Sequence, residues 1–293
     1  MGKHRYGLRD SPFFRLRRKS KLANLLQVSP NKLKWLAALE DGYIRFQKPK
    51  RNGDMRDISA PIPPLKSVQA RIANLLSRIS SPDYLFAPVK GRSYVDNAAR
   101  HIGAQSVRLL DIQDFFPNCT IKKVIWFFRK RMECSPDVAV ILARIATENG
   151  FLPQGSPCSP VLAYFAYIDM WEEIAARVSS DGCRLSVYAD DLTISGNAVP
   201  EAMIWDIKRL LHKHDHRYAA NKERARRSRP AEITGVILTR EGIAPPNRQR
   251  QKIYRVRNEL RHATSSAQVM KLQAQLCGRL AQVHQIQTGN FRH

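Results

Sequence analysis

The segment 184–195, RLSVYADDLTIS, places two adjacent aspartates, Asp190 and Asp191, inside a short apolar, β-prone stretch. Apolar and polar residues alternate on both sides of the pair, which is typical of two short strands meeting at a turn around Ala189-Asp190. A hairpin tip there would project both carboxylates from one end of a buried sheet. Such close like charges repel, and a divalent cation such as magnesium, held by oxygen ligands, would remove the conflict. The alternative is an Asx-type turn, with one aspartate capping the backbone and the other solvated.

A second acidic segment, LLDIQDFFPN at 109–118, places Asp111 directly after an apolar pair, at the predicted end of another strand. Carboxylates on neighbouring strand ends can hold two metal ions, which activate a 3′-hydroxyl and neutralise charge on a leaving pyrophosphate. For Asp111 taken alone, the alternative is a helix N-cap. The two segments together favour metal-dependent nucleotidyl transfer.

The overall charge indicates a polyanionic partner. Lysine and arginine total 49 against 25 acidic residues among 293, a formal charge of +24, and 43% of residues are hydrophobic. This composition predicts a globular protein of one large domain or a few packed subdomains that binds nucleic acid. Scaffolding or solubility alone are the less specific alternatives.

The cysteines and the apolar segments indicate a reduced, cytoplasmic protein. The five cysteines are odd in number and show no CxxC spacing, so neither a disulfide framework nor a zinc knuckle is expected. The basic N-terminus lacks the apolar stretch of a signal peptide, and no apolar run reaches the roughly 18 residues of a membrane span. The alternating His212, His214 and His216 do not share a helix face at ligand spacing, so we expect no metal there.

Periodicity and capping residues predict a mixed order of strands and helices. Ser29-Pro30 starts a helix, Asn52-Gly53 marks a hairpin turn, and another helix follows Pro64. The remaining expectations are one long helix over 161–178, a basic loop over 221–230, a strand over 232–238 and a basic helical tail from residue 247. With no long linker, the subdomains should lie in contact.

Four segments, in this order, resemble the boxes of reverse transcriptases. KRNGDMRDISAPIPPLKSVQARIANLL (50–76) resembles the fingers region of the retron and group II intron branch, and LLDIQDFFPN resembles the first catalytic motif. LPQGSPCSP (152–160) resembles the nucleotide-binding box, and YADD (188–191) resembles the YxDD box. VDNAARHIG (95–103) is similar to the NAxxH element of bacterial retron reverse transcriptases, and EITGVIL is similar to their VTG element, with isoleucine replacing valine.

The resemblance covers the chain from about residue 45 onward and implies an α+β, right-hand polymerase fold whose antiparallel palm sheet is backed by helices. The expected parts are a basic N-terminal helical extension over 1–45, fingers over 46–105, palm over 106–242 with fingers-associated helices around 120–150, and thumb over 243–293. At this length, no endonuclease or maturase domain is expected.

By the same resemblance, Asp111 and Asp190 are the primary ligands of two Mg2+ ions, and Asp191 completes the catalytic triad. The backbone carbonyl of Ile112 is expected to assist in metal binding.

The resemblance also assigns the nucleotide site. Phe116 would pack under the sugar of the incoming nucleotide and exclude a 2′-hydroxyl by sterics, while Phe115 would belong to the core. Gln154 and Gly155 would lie against the nucleotide, with the glycine permitting close backbone approach. Core packing for Phe116 and an ordinary helix-entry turn for the glycine are the alternatives.

Arg56 would grip the triphosphate, since the guanidinium geometry matches phosphate oxygens. Lys48, Lys50 and Arg51 all remain candidates for its expected cationic neighbour. The family often carries Asn-x-x-Lys before the VTG strand. In the family, this lysine is proposed to protonate the leaving pyrophosphate. Here Arg224 occupies its position, and arginine is a poor proton donor.

Asn97, His101, Thr234 and Gly235 are tied by the resemblance to RNA binding, and the basic C-terminal helices to gripping a duplex. Hydrogen bonding within the protein is the alternative role for His101.

The implied function is RNA-directed DNA polymerisation, a nucleotidyl transfer that uses dNTPs. A retron enzyme copies its structured noncoding RNA, msr-msd, from a guanosine 2′-hydroxyl into branched msDNA. Known retrons act in anti-phage defence, and a separate effector or toxin protein is expected here as a partner. The alternatives are a group II intron or abortive-infection reverse transcriptase, and a binding scaffold that holds RNA or msDNA and restrains a toxic effector.

Overall fold

A mixed sheet built around the two acidic segments organises the structure. The computed structural model describes residues 5–49 and 53–288. The strands are β1 Tyr43–Pro49, β2 Met55–Pro61, β3 Leu85–Ala87, β4 Ser106–Gln113, β5 Arg184–Tyr188, β6 Asp191–Gly196, β7 Arg217–Tyr218, β8 Arg224–Arg227, β9 Ala231–Ile233, β10 Val236–Leu238 and β11 Ile243–Ala244. The α-helices are α1 Lys19–Leu26, α2 Pro30–Ala37, α3 Pro63–Leu76, α4 Tyr94–Ala99, α5 Phe115–Asn118, α6 Ile121–Trp126, α7 Pro136–Ala146, α8 Ser159–Ala166, α9 Ile168–Ser180, α10 Glu201–Lys213, α11 Asn247–Arg261 and α12 Ser266–Thr288.

The central sheet has the order β3-β5-β6-β4-β7, and β8 pairs with β4 beside β7. Its neighbours are antiparallel except β3, which runs parallel to β5. In the β5–β6 hairpin Tyr188 pairs with Asp191, and in the β4–β6 ladder Asp111 pairs with Asp191. This register brings both acidic segments to the same end of the sheet, as the sequence predicted.

Helices cover one face of this sheet and bury its apolar side chains. Leu110 and Ile112 of β4 and Val187 of β5 are at most 2% exposed and share a core with Tyr167 and Trp171, both fully buried. The alternation of apolar residues along each strand therefore supplies one side of the core. The predicted α+β class, with an antiparallel sheet backed by helices, is confirmed.

Two smaller units flank the central sheet. The β1–β2 hairpin leads into α3, where the predicted helix over the segment after Pro64 is found. On the other side, β9, β10 and β11 form a small antiparallel sheet next to α11 and α12. A second apolar cluster that includes Val95, Val107 and Ile233 joins this small sheet to α4 and β4.

The sequence predicted the start of the capped helix α2 correctly, but the prediction was wrong at a helix that is interrupted where residues distant in sequence come into contact. Ser29 caps α2 by accepting the Lys32 N–H at 3.2 Å, as expected. The long helix predicted over 161–178 is instead two helices, α8 and α9, separated at Tyr167, whose hydroxyl donates to the Asn118 carbonyl at 3.0 Å. That distant hydrogen bond is invisible in the local sequence pattern.

Two further predictions are corrected in the C-terminal half. The basic loop over 221–230 contains strand β8, which pairs with β4, because the ladder contributes backbone hydrogen bonds that the arginine-rich sequence does not reveal. The segment 232–238 is a hairpin of β9 and β10 rather than one strand, because Thr234 and Gly235 adopt positive φ angles of 46° and 88°. Among the described residues, no helix is both long and apolar enough to cross a bilayer.

Candidate active site

The tip of the β5–β6 hairpin presents the adjacent aspartates. Ala189 has a φ of 59°, a conformation typical of the first position of a type II′ two-residue hairpin loop. The Ile112 N–H donates to the Asp190 carbonyl at 3.0 Å, and the Ala219 N–H donates to the Asp111 carbonyl at 2.8 Å. These backbone bonds fix the acidic turn against β4, so the hairpin proposed from the sequence is confirmed.

The surroundings of Asp190 and Asp191 disfavour the ionised form of both side chains. Burial, followed by repulsion from Asp190 and Asp111, raises the pKa of Asp191 to about 7. Burial is also the main reason that the pKa of Asp190 is raised; Asp111 adds repulsion, while Lys222 and Arg56 offset part of it. Because burial and repulsion both raise these pKa values, a bound cation would stabilise the ionised carboxylates at this site.

Lys222 provides the cation that the aspartates contact here. Its Nζ lies 2.8 Å from both carboxylate oxygens of Asp111. Partial burial favours the neutral amine, but the Asp111 hydrogen bond and the surrounding carboxylates prevail and raise the pKa of Lys222. The sequence reasoning missed this residue because motif spacing directed attention to Arg224. The Arg224 guanidinium instead donates to the backbone carbonyls of Asn221 and Glu223.

The acidic cluster offers oxygen ligands at the end of the central sheet. Within the described ranges, no group of three or more His, Cys, Asp or Glu side chains is arranged to hold an ion. The donor chemistry nevertheless fits a divalent cation, because Asp111, Asp190 and Asp191 offer hard oxygen ligands and the Lys222 ammonium group lies beside Asp111. Ile112 follows Asp111 within β4, and its side chain is buried in the core.

A cavity of about 420 Å3 opens beside this cluster and gathers the residues expected to bind a nucleotide. Its walls include Arg56 from β2, Phe116 from α5, and Gln154 and Gly155 from the loop before α8. Asp190 and Lys222 line the same cavity. Side chains that are far apart in sequence thus surround one space next to the aspartates.

Phe116 and Gln154 face this cavity in different ways. Phe116 is half-buried and packs on Phe115, with ring centroids 5.7 Å apart. Phe115 is only 4% exposed and lies edge-on to Trp171, so its predicted place in the core is confirmed. The Oε1 atom of Gln154 is buried without a hydrogen-bond partner among the described residues, which leaves an acceptor available at the cavity wall.

Gly155 is required by a close approach, but to the protein itself. Its φ is 129°, and a Cβ atom there would lie 2.7 Å from the Ser59 carbonyl oxygen on β2. The Ser59 N–H in turn donates to the Gln154 carbonyl at 2.7 Å. The backbone at Gly155 therefore approaches the β1–β2 hairpin closely, at a position that also lines the cavity.

Arg56 is exposed on β2, directly opposite Lys48 of β1 in the strand register. The Lys48 ammonium also lies over the Phe46 ring, 5.4 Å from its centroid. Of the cations proposed to assist Arg56, Lys48 is thus its cross-strand neighbour, while Lys50 and Arg51 lie outside the described residues.

The two polar residues of the NAxxH element are buried. His101 is 0% exposed, and its ring nitrogens lie 2.6 Å from Ser195 Oγ and 2.7 Å from Ser186 Oγ. Asn97 is 1% exposed and donates to Thr234 Oγ1 at 3.3 Å. In the structure these side chains make internal contacts: His101 links β5 to β6, and Asn97 supports the turn at Thr234.

Burial, followed by the charges of Arg184 and Arg100, lowers the pKa of His101 to about 3. The imidazole is therefore neutral, with one nitrogen donating and the other accepting. Each serine hydroxyl can donate or accept a hydrogen bond, so one hydroxyl can pair with each ring nitrogen.

Thr234 and Gly235 occupy the β9–β10 turn, on the edge of a second cavity of about 800 Å3. Thr234 Oγ1 donates to the Tyr94 carbonyl at 3.0 Å, which fixes the turn to α4. Basic side chains of α11 and α12 line the same cavity, including Arg248, Lys252 and Arg279. Tyr188 of the acidic hairpin reaches it too. This basic wall can accommodate a phosphate backbone leading toward the aspartates.

Comparisons with known proteins agree with this site. Residues 48–238 match the family model described as reverse transcriptase (RNA-dependent DNA polymerase). The Retron Se72 reverse transcriptase of Salmonella heidelberg (strain 579083-10) is 32% identical over 179 residues, covering 60% of this chain and 47% of the relative. The Retron Mx65 reverse transcriptase of Myxococcus xanthus is 30% identical over 264 residues, covering 82% and 60%, respectively.

The Retron Ec86 reverse transcriptase of Escherichia coli is 30% identical over 186 residues, covering 62% of this chain and 58% of the relative. The chain thus spans about half the length of the curated relatives that it matches. Among solved structures, a foamy viral protease-reverse transcriptase in complex with RNA/DNA hybrid aligns with a TM-score of 0.44 at 16% identity, over 73% of this chain and 25% of that one. The family model covers more than half of the sequence and includes both acidic segments. The chain therefore belongs to the reverse transcriptase (RNA-dependent DNA polymerase) family and is similar to its retron members.

Proposed function

We propose that this protein is an RNA-directed DNA polymerase of the retron type. The observation that carries the proposal is the shared cavity: Arg56, Phe116, Gln154 and Asp190 surround one space of about 420 Å3 beside the other two aspartates. A dNTP fits the chemistry of its walls, which offer cations for the triphosphate, an aromatic ring for the sugar and carboxylates for metal ions.

Each residue has a distinct part in this scheme. Asp111, Asp190 and Asp191, with the Ile112 carbonyl, would hold two Mg2+ ions, which activate the primer hydroxyl and neutralise the leaving pyrophosphate. Arg56 and Lys222 would bind the triphosphate, because both line the cavity and carry positive charge. Phe116 would exclude a ribose 2′-hydroxyl, and the free Oε1 of Gln154 would accept a hydrogen bond from the nucleotide.

The template would be a structured msr-msd RNA, and the product branched msDNA begun from a guanosine 2′-hydroxyl. Similarity to several retron enzymes supports this choice over group II intron and abortive-infection reverse transcriptases. Thr234 and Gly235 would contact the RNA at the basic cavity between α4, α11 and α12. We extend the proposal to anti-phage defence in the cytoplasm, together with a separate effector protein.

The nucleic acid that co-purifies with the protein from its native locus tests the retron assignment. We expect a short single-stranded DNA whose gel mobility changes after RNase and again after debranching enzyme, and which is lost in the Asp190→Ala variant. Unbranched DNA from the wild-type protein would instead place the enzyme in another class of bacterial reverse transcriptase. RNA without DNA would contradict the polymerase proposal itself.

A further inference from the structure

Gln69 of α3 forms a buried three-way hydrogen-bond junction outside the residues assigned so far. Its side chain is 0% exposed. The amide Nε2 donates to Tyr43 Oη at 2.8 Å and to the Ile145 carbonyl at 2.8 Å. The amide Oε1 accepts from Ser156 Oγ at 2.7 Å. Both donor hydrogens and one acceptor site are therefore used, which only an amide of this length can do.

The three partners lie on different elements, two of which contribute walls of the nucleotide cavity. Ser156 lines the cavity and follows Gln154 and Gly155 in the loop before α8. Tyr43 begins β1, whose partner strand β2 carries Arg56. Ile145 lies near the end of α7, in the core behind the loop. One side chain thus connects the loop, the arginine-bearing hairpin and the helical core.

The same two walls already meet along their backbones. The Ser59 N–H donates to the Gln154 carbonyl, and Gly155 approaches the Ser59 carbonyl too closely to accept a Cβ atom. Gln69 adds a side-chain connection to this backbone seam through Ser156 and Tyr43. Buried polar networks of this kind are costly when incomplete and fix geometry when every member is satisfied.

We propose that Gln69 is a positioning residue for nucleotide binding. Through Ser156 and Tyr43 it sets the separation between Gln154 and the hairpin that presents Arg56. The inference rests on the proposed polymerase function. Because the aspartates are held by β4, β5 and β6, which Gln69 does not contact, loss of the junction should weaken dNTP binding and leave the chemical step largely intact.

Steady-state primer extension on an RNA template, with the dNTP concentration varied, tests the inference. We expect Gln69→Met and Ser156→Ala each to raise the KM for dNTP by about 5- to 20-fold and to lower kcat by less than about threefold. The double variant should be little worse than the stronger single variant, since both changes remove the same connection. The Kd for the RNA–DNA primer-template should stay unchanged.

Thr147→Val is the matched control. Thr147 lies just beyond the C-terminal end of α7, is 8% exposed, and donates from Oγ1 to the Ala143 carbonyl at 2.8 Å, outside the junction. This change removes a buried hydrogen bond of similar strength, so it should lower the melting temperature without raising the KM for dNTP.

Ser156→Ala removes a single hydroxyl and keeps the test decisive even if Gln69→Met fails to fold. An unchanged KM in folded Ser156→Ala, or an equal rise in Thr147→Val, would overturn the positioning role. Wild-type extension in the same assay separates failure of this inference from failure of the proposed polymerase activity, since the wild-type protein would then incorporate dNTPs normally.

Discussion

Asp191 stands where three negative side chains converge, and its protonation state links the site to the stability of the whole fold. Its neighbours, Asp190 and Asp111, come from the same hairpin tip and from the adjacent strand. Burial and repulsion raise its pKa to about 7 from an ordinary value of 3.8. The folded protein therefore holds this proton more tightly than the unfolded chain does.

The raised pKa of Asp191 makes the free energy of unfolding fall as the pH rises. Stability contributed by protonated Asp191 is fully present below the unfolded pKa near 4 and is lost as the pH rises through about 7. In EDTA, Asp191→Asn should therefore melt higher than the wild type at pH 8, by about 5 °C, on the order of 2 kcal/mol. The gap should shrink toward pH 4, as measured by thermal unfolding. A constant gap from pH 4 to 8 would show that Asp191 does not titrate as described.

Lys222 and Arg224 lie two positions apart in a basic segment and should behave very differently. Lys222 contacts Asp111 and lines the nucleotide cavity, whereas Arg224 donates to backbone carbonyls. We expect Lys222→Met to lower kcat/KM for dNTP incorporation by at least about 10-fold, which is roughly 1.4 kcal/mol of transition-state stabilisation. Arg224→Met should change it by less than about threefold. Equal losses in the two variants would contradict a special role for Lys222, and a larger loss in Arg224→Met would place the functional cation at the position predicted from motif spacing.

At the scale of elements, the acidic β5–β6 hairpin is held by a side chain from outside the sheet. His101 follows the short α4 and bridges Ser186 and Ser195, one on each strand of the hairpin. Burial keeps the imidazole neutral, so one ring nitrogen donates to one serine hydroxyl and the other nitrogen accepts from the second. These two hydrogen bonds satisfy the polar atoms of a fully buried histidine.

Replacing His101 with leucine should leave both serine hydroxyls unsatisfied in the core. We expect His101→Leu to lower the free energy of unfolding by about 2–4 kcal/mol, as measured by urea denaturation. His212→Leu, at an exposed position on α10, is the control and should cost less than about 0.5 kcal/mol. If His101→Leu were as stable as the control, the bridge would not contribute to the fold.

The sequence predicted elements whose cause is local and missed those fixed by distant partners. Ser29 capping α2 and the alternation around Asp190 are local signals, and both elements are found. The break between α8 and α9 lies at Tyr167, whose hydroxyl bonds to the distant Asn118, and β8 pairs with β4 far from it in sequence. Lys222 was missed for the same reason, since only the fold brings it to Asp111.

At the scale of the whole molecule, the charge of +24 should govern affinity for nucleic acid. Binding of a labelled 20-base-pair RNA–DNA hybrid should weaken by roughly 1000-fold between 50 and 200 mM salt, the change typical of about six phosphate contacts. Fluorescence anisotropy measures this dependence.

Lys252→Gln, at the basic cavity lined by α11 and α12, should reduce the salt slope by about 1. Lys34→Gln, on the exposed surface of α2, should not change it. A slope unaffected by Lys252→Gln would remove that cavity from the path of the nucleic acid.

The measurement that tests the central claim most directly is extension of a DNA primer on an RNA template by the wild-type protein and by Asp190→Ala. The account predicts dNTP-dependent extension with Mg2+ by the wild type and a loss of at least about 1000-fold in the variant, with binding of the RNA–DNA hybrid retained. Extension that persists in Asp190→Ala, or a wild-type protein that binds the hybrid and never extends it, would contradict the assignment of the hairpin aspartates to catalysis.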